Sequence, residues 1–179
     1  HSETVAALLA AGAAANQASS NGATPLYIAC EKGHSATVAA LLAAGTDTAV
    51  QNQNGDTALI WASHKGHLAV VDTLLAAGAN TAFQNQNGDT ALLFASGSGH
   101  LQVVQALVAA GADMAVQNQY GATALICASD WGHLVVVDTL LAAGADTAAQ
   151  NQRGSTALIL ASGSGHLQVV LALVAAGAD

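Results

Sequence analysis

The chain has 179 residues, 53% apolar, 3% aromatic and 8% charged, against roughly 25% charged in an average soluble domain. Alanine fills 44 positions and glycine 18, and so apolar and weakly charged a composition excludes disorder. Three lysines and arginines stand against eleven acidic residues, a net charge of −8, which supplies too few cations to neutralise the phosphates of nucleic acid or an anionic membrane surface.

In chain order, residues 1–20 read as the second half of a helical unit that closes near Gly12. Residues 21–53 then open a pattern that recurs at 54–86, 87–119 and 120–152, and 153–179 carry most of a last copy. The phase is set by glycine. Gly-His pairs fall at Gly33-His34, Gly66-His67, Gly99-His100, Gly132-His133 and Gly165-His166, always 33 residues apart. Gly12, Gly45, Gly78, Gly111, Gly144 and Gly177 keep the same step, as do Gly22, Gly55, Gly88, Gly121 and Gly154.

Residues 54–86 serve as the reference unit. Asn54-Gly55 is a turn signal, with glycine supplying a positive φ. Thr57 is a good N-cap for a short helix beginning near Ala58. Gly66 ends that helix in the left-handed conformation common after a helix C-cap. A second helix is predicted from about Leu68 to Ala77, closed by Gly78. The stretch from Ala79 to Gln86 has no helical pattern and links to the next turn. Each unit is therefore helix, turn, helix and extended loop.

This layout resembles the ankyrin repeat family along the whole chain. The family pattern is roughly G-x-T-P-L-H-x-A-A-x-x-G-H-L-x-x-V-x-x-L-L-x-x-G-A-D. Here it reads GATPLYIACEKGHSATVAALLAAGTD from Gly22 to Asp47 and GATALICASDWGHLVVVDTLLAAGAD from Gly121 to Asp146. The fold implied is an all-α ankyrin-repeat solenoid of stacked helix-turn-helix units, a single array. Proline survives only as Pro25, replaced by Ala58, Ala91, Ala124 and Ala157; alanine is tolerable at a first helical position. The family's first-helix histidine becomes Tyr27, Ile60, Leu93, Ile126 and Ile159, which exchanges a polar tie between repeats for apolar contact.

The units at 54 and 120 share HLxVVDTLLAAGA, and those at 87 and 153 share GSGHLQVV and ALVAAGAD. Duplication of a two-repeat block accounts for so regular an alternation better than convergence on a consensus does. Both ends fall inside a unit, and neither has the polar outer face of a capping repeat. Leu171 stands where Asp72, Gln105 and Asp138 stand in earlier units. The chain therefore reads as a segment of a longer array, or one docked in a larger assembly.

Six histidines, His1, His34, His67, His100, His133 and His166, form a ladder. Packed helices lie about 8–10 Å apart, too far for successive rungs to share a zinc ion with bonds of about 2 Å; capping of the inter-helix turn is the expected role. His64 and His67 straddle a helix end and lack a third donor. Cys30 and Cys127, about three repeats apart, lie beyond disulfide reach and read as buried thiols. Two cysteines fit a reducing compartment, so a cytoplasmic location is expected. Asp56 and Asp89 share a turn position and read as solvated surface. No hydrolase, zinc-protease or phosphate-loop motif is present, so neither enzymatic activity, cofactor nor metal is expected. Apolar runs such as 134–137 and 169–176 fall far short of the ~20 residues a membrane span needs, and the first residues do not read as a secretory leader.

Recognition remains. The resemblance implies a concave face lined by turn tips and first helices, where variable residues set the partner. Leu59, Ala62, Val71, Leu74 and their equivalents belong to the shared core. The variable positions are Asn54, Asn87, Tyr120 and Arg153 at the turn, and Ile28, Trp61, Phe94, Cys127 and Leu160 within the first helix. At that helix's end they run Glu31-Lys32, His64-Lys65, Gly97-Ser98, Asp130-Trp131 and Gly163-Ser164. Trp61, Phe94, Tyr120 and Trp131 are four of the six aromatics in the chain, and tryptophan and tyrosine are common anchors of binding hot spots. Trp131 is the leading contact residue, with Tyr120, Asp130 and Arg153 expected around it and His64 and Lys65 on the same face. The expected function is non-enzymatic binding of a protein partner; the alternative is a structural spacer within a longer array.

Overall fold

A threonine starts every first helix. Thr24, Thr57, Thr90, Thr123 and Thr156 hold an extended backbone, and each hydroxyl accepts the amide three residues on, removing one of the orphan donors of a helix start. The computed structural model describes residues 7, 8 and 11–179; His1 and residues 2–6, 9 and 10 of the leading partial unit lie outside the described residues. The rest is a series of helix pairs: α1 (Pro25–Glu31) with α2 (Ser35–Ala43), α3 (Ala58–His64) with α4 (Leu68–Ala76), α5 (Ala91–Gly97) with α6 (Leu101–Ala109), α7 (Ala124–Asp130) with α8 (Leu134–Ala142), and α9 (Ala157–Gly163) with α10 (Leu167–Ala175). No strand occurs among the described residues, and the architecture is all-α.

Helices of seven and nine residues are too short to persist alone in water, so stacking holds them. The first helices pack in one row, α1 on α3 on α5 on α7 on α9, and the second helices in another. Between the rows lies one continuous core. Leu59, Ala62, Val71 and Leu74 are all at most 2% exposed, and their equivalents Leu92, Ala95, Val104 and Leu107 repeat the pattern. Of the residues replacing the family histidine, Tyr27 departs from the expected apolar exchange, since its hydroxyl accepts Asn52 Nδ2 at 3.0 Å. Ile60, Leu93 and Ile126 are buried apolar contacts, whereas Ile159, with no described repeat beyond it, is 54% exposed. Burial at this position thus comes from the following repeat.

The histidine ladder departs from the expected capping role. His67, His100, His133 and His166 occupy the N-cap positions of the second helices but make no side-chain capping bond. Their rings reach back one repeat instead. His67 Nε2 donates to the carbonyl of Glu31 at 3.2 Å, and His100, His133 and His166 donate to those of His64, Gly97 and Asp130 at 3.0 Å. Each ring lies on the glycine of the Gly-His pair before it. A Cβ on Gly66 would come 2.6 Å from His100 Nδ1, and one on Gly99 would come 2.6 Å from His133 Nδ1. These glycines therefore serve two needs, a positive φ (+72° at Gly66) and close approach by the next repeat's imidazole.

The loops carry a second ladder. The backbone amides of Gln53, Gln86 and Gln152 donate to the carbonyls of Asn21, Asn54 and Tyr120 at 2.9–3.1 Å. The side chains of Gln53, Gln86, Gln119 and Gln152 donate to main-chain carbonyls 33 residues earlier. Asn52, Asn85, Asn118 and Asn151 each fold their turn by accepting two amides with one Oδ1. The Gln-Asn-Gln stretches are thus hydrogen-bonded rungs.

Ser63, Ser96 and Ser129 are fully buried, with hydroxyls that find no partner. A buried unsatisfied polar group costs about 1–3 kcal/mol, so S63A, S96A and S129A should each raise the denaturation midpoint. Gly78→Ala should cost about 1–2 kcal/mol for its left-handed backbone alone, since a Cβ there meets nothing within 4 Å. Gly66→Ala adds the clash with His100 and should cost measurably more in the same denaturant titration; equal losses at the two sites would contradict the stacking role of the ring.

Candidate functional site

The variable side chains of α3, α5 and α7 gather on the face formed by the first helices. Trp61 is half-buried and fixed at both ends. Its indole N–H donates to Asp56 Oδ2 at 3.1 Å, and Lys65 Nζ lies 4.9 Å over its ring. Edge-to-face contacts then run from Tyr27 to Trp61 (6.3 Å between ring centres), from Trp61 to His64 (5.2 Å) and from His64 to Phe94 (4.9 Å). Such pairs add about 0.5–1.5 kcal/mol beyond area burial, so the row is stiff.

Beyond Phe94 the face opens into a hollow of about 280 Å³. His64, Asp89, Leu93, Phe94, Gly97, Ser98, Cys127 and Trp131 line it. Trp131, the C-cap residue of α7, is 68% exposed. The turn after a first helix leaves its C-cap side chain unpacked, which explains why Lys32, Lys65, Ser98 and Ser164 fill the same position elsewhere.

The neighbours of Trp131 differ from those expected. Phe94, Cys127, His64 and Asp89 share its hollow, whereas Tyr120 and Arg153 are exposed turn-tip residues that take no part in the lining. Asp130 is exposed beside Trp131 in sequence, its carboxylate accepting the Ser164 hydroxyl at 3.2 Å. Trp131 meets the preceding repeat, which supplies Asp89, Leu93, Phe94, Gly97 and Ser98 to the hollow.

The two turn aspartates are not solvated surface either. Asp56 is 4% exposed. Its Oδ1 accepts Asn85 Nδ2 at 2.9 Å and its Oδ2 accepts Trp61, so both oxygens are satisfied. Asp89 is half-buried, its Oδ1 accepting Asn118 Nδ2 at 2.7 Å, and burial raises its pKa from the usual carboxylate value. Asn85 and Asn118 lie 29 residues beyond the aspartates they serve; the recurring Gln-Asn-Gln stretch was the available sequence signal for these partners.

Both cysteines are free. Cys30 is buried, and Cys127 is half-buried at the hollow, not sealed in the core as expected. Burial pushes both thiols to about 12, helped at Cys127 by Asp89 and Asp130. A thiol so placed stays protonated at neutral pH and is a poor nucleophile. Among the described residues no three His, Cys, Asp or Glu side chains are grouped to share a metal ion. His67 is engaged with the Glu31 carbonyl, and His64 sits between aromatic rings with its Nδ1 3.4 Å from the Ser98 hydroxyl.

Trp61→Phe removes the donor from a buried carboxylate and should cost about 1.5–3 kcal/mol, read from denaturant unfolding against the wild type. Burial, then Lys65 and His100, lower the pKa of His64 below 6.5. The folded state therefore prefers the neutral ring, and this contribution is present above pH 6.5 and lost as pH falls. Asp89 acts in the opposite sense, but within the lower carboxylate range. The denaturation midpoint should fall between pH 7 and pH 5, and less steeply in H64Q; an unchanged slope would contradict the assignment.

A comparison with curated proteins finds no match. The family model described as ankyrin repeats, three copies, matches residues 1–85, 74–151 and 116–179. Among the described residues no helix is long and apolar enough to cross a membrane. With matches that reach across its length and a stack of paired helices turning on glycine, the chain belongs to the ankyrin repeat family, whose members are generally protein–protein interaction modules.

Proposed function

We propose that the chain is a non-enzymatic scaffold that binds a protein partner through the concave face built by its first helices and turns. The observation that carries the reading is Trp131, a large aromatic left 68% exposed at the rim of a hollow shared with Phe94. An exposed tryptophan on a rigid, partly apolar surface is a typical binding anchor. Trp61, His64 and Lys65 extend the surface along the aromatic row, and Tyr120, Asp130 and Arg153 supply polar and aromatic contacts further along the stack. The repeats that present them are 21–53, 54–86, 87–119, 120–152 and 153–179, after a partial unit at 1–20. A cytoplasmic setting belongs to the same proposal, supported by the two free thiols.

A spacer role is the second reading, favoured by one feature. On the outermost described helices, Ile159, Leu167, Leu171 and Val174 are 54–63% exposed, an apolar face suited to stacking against a further repeat.

One experiment separates the two. The chain is used as bait in a lysate of its source cells, with cross-linking mass spectrometry, beside W131A and Y120A variants. The binding reading expects a partner cross-linked around Trp131 whose recovery falls at least tenfold in W131A, as expected for a hot spot worth about 2 kcal/mol. Equal recovery by wild type and variants would favour the spacer.

A further inference from the structure

The two turn aspartates are built alike and finished differently. Asp56 receives Asn85 on one oxygen and the Trp61 indole on the other. Asp89 receives Asn118 on Oδ1 in the same way, but the residue that corresponds to Trp61 is Phe94, which has no N–H to offer. Among the described residues nothing donates to Asp89 Oδ2. The oxygen is nevertheless not sealed off, because Asp89 is half-exposed and lines the hollow beside Phe94, Cys127 and Trp131. The turns before the last two first helices carry Ala122 and Ser155 in its place, and Asp56 has both oxygens engaged, so the free carboxylate oxygen is particular to the Asp89 repeat.

A carboxylate half-withdrawn from water keeps a strong demand for a donor. Among the described residues no cation is free to meet it. Lys65 is spent on the face of Trp61, and the burial that lowers the pKa of His64 keeps its ring neutral at pH 7. At about 280 Å³ the hollow falls just below the range of small-molecule sites, which run from about 300 to 1,000 Å³. That suits one long side chain better than a whole metabolite. Its walls combine exposed indole, phenyl ring and carboxylate, the pairing that favours a guanidinium, which stacks on aromatic faces and is weakly hydrated for a cation. The net charge of −8 would draw a basic segment toward it.

We propose that the hollow is an arginine subsite, in which an arginine of the protein partner pairs with Asp89 and stacks between Phe94 and Trp131. This rests on the reading of the surface as a partner-binding face and names the chemistry of the partner.

The test uses the whole chain and the tripeptide acetyl-Gly-Arg-Gly-amide, followed by the NMR shift of the Trp131 indole N–H. Its uncharged counterpart carries citrulline in place of arginine. The arginine peptide should produce a saturable shift, and the citrulline peptide none. Asp89→Asn keeps an oxygen for Asn118 while removing the charge, and Phe94→Trp offers Asp89 the indole N–H that Asp56 already has. Each should weaken the arginine peptide at least tenfold, and the exposed control Asp72→Asn should leave it unchanged. No saturable shift, equal response to citrulline, or full affinity in both D89N and F94W would overturn the subsite. If the partner captured by cross-linking still depends on Trp131 in that case, the groove reading stands and only the arginine assignment fails.

Discussion

The structure depends on an imidazole laid across a glycine. His67, His100, His133 and His166 each donate to a carbonyl of the repeat before and rest on the bare Cα of that repeat's own Gly-His glycine. The glycine ends the first helix with a backbone that disfavours side chains and leaves no Cβ to hold the ring away. One dipeptide therefore terminates a helix, starts the next and locks two repeats together. The same bond satisfies a carbonyl near a helix C-terminus, one of the groups every helix leaves orphaned.

This tie answers a difficulty built into the composition. With alanine so abundant, each repeat offers few large side chains, and the core packs alanines against a narrow set of leucines, valines and isoleucines. Repeat arrays are stable to the extent that neighbours couple. Here the coupling is spread over three layers: the apolar faces of the first helices, the histidines in the inter-helix turns, and the glutamine and asparagine rungs in the loops. The polar rungs suit a chain with few charges, because amide side chains can donate and accept across a 33-residue step without charge repulsion.

Much of this was legible in the sequence, and the remainder failed for identifiable reasons. Thr57 as a cap, Gly66 and Gly78 as stops, and Leu59, Ala62, Val71 and Leu74 as core all follow from local rules, and the helices fall within a residue of their expected ends. What escaped depends on the offset between adjacent repeats. His100 occupies a capping position, and only the stack reveals that its ring turns back to His64. Asp56 looks like a surface turn residue until Trp61 and Asn85 are brought to it from five residues and 29 residues away. The same offset sets Trp131 in a hollow with Phe94 and His64, leaving Tyr120 and Arg153 outside it.

The histidine under the hollow offers the most direct test. His133 ties the repeat carrying Trp131 to the carbonyl of Gly97 at 3.0 Å, and replacing it with leucine keeps an apolar bulk while removing the donor. Native-state hydrogen exchange on H133L reads the coupling across that one junction. If the ladder couples the repeats, amides of α7 to α10 should open independently of α1 to α6, with protection reduced roughly fivefold or more for a loss of about 1–3 kcal/mol. A uniform change across all helices, or none, would contradict the claim that the histidine-on-glycine contact joins one repeat to the next.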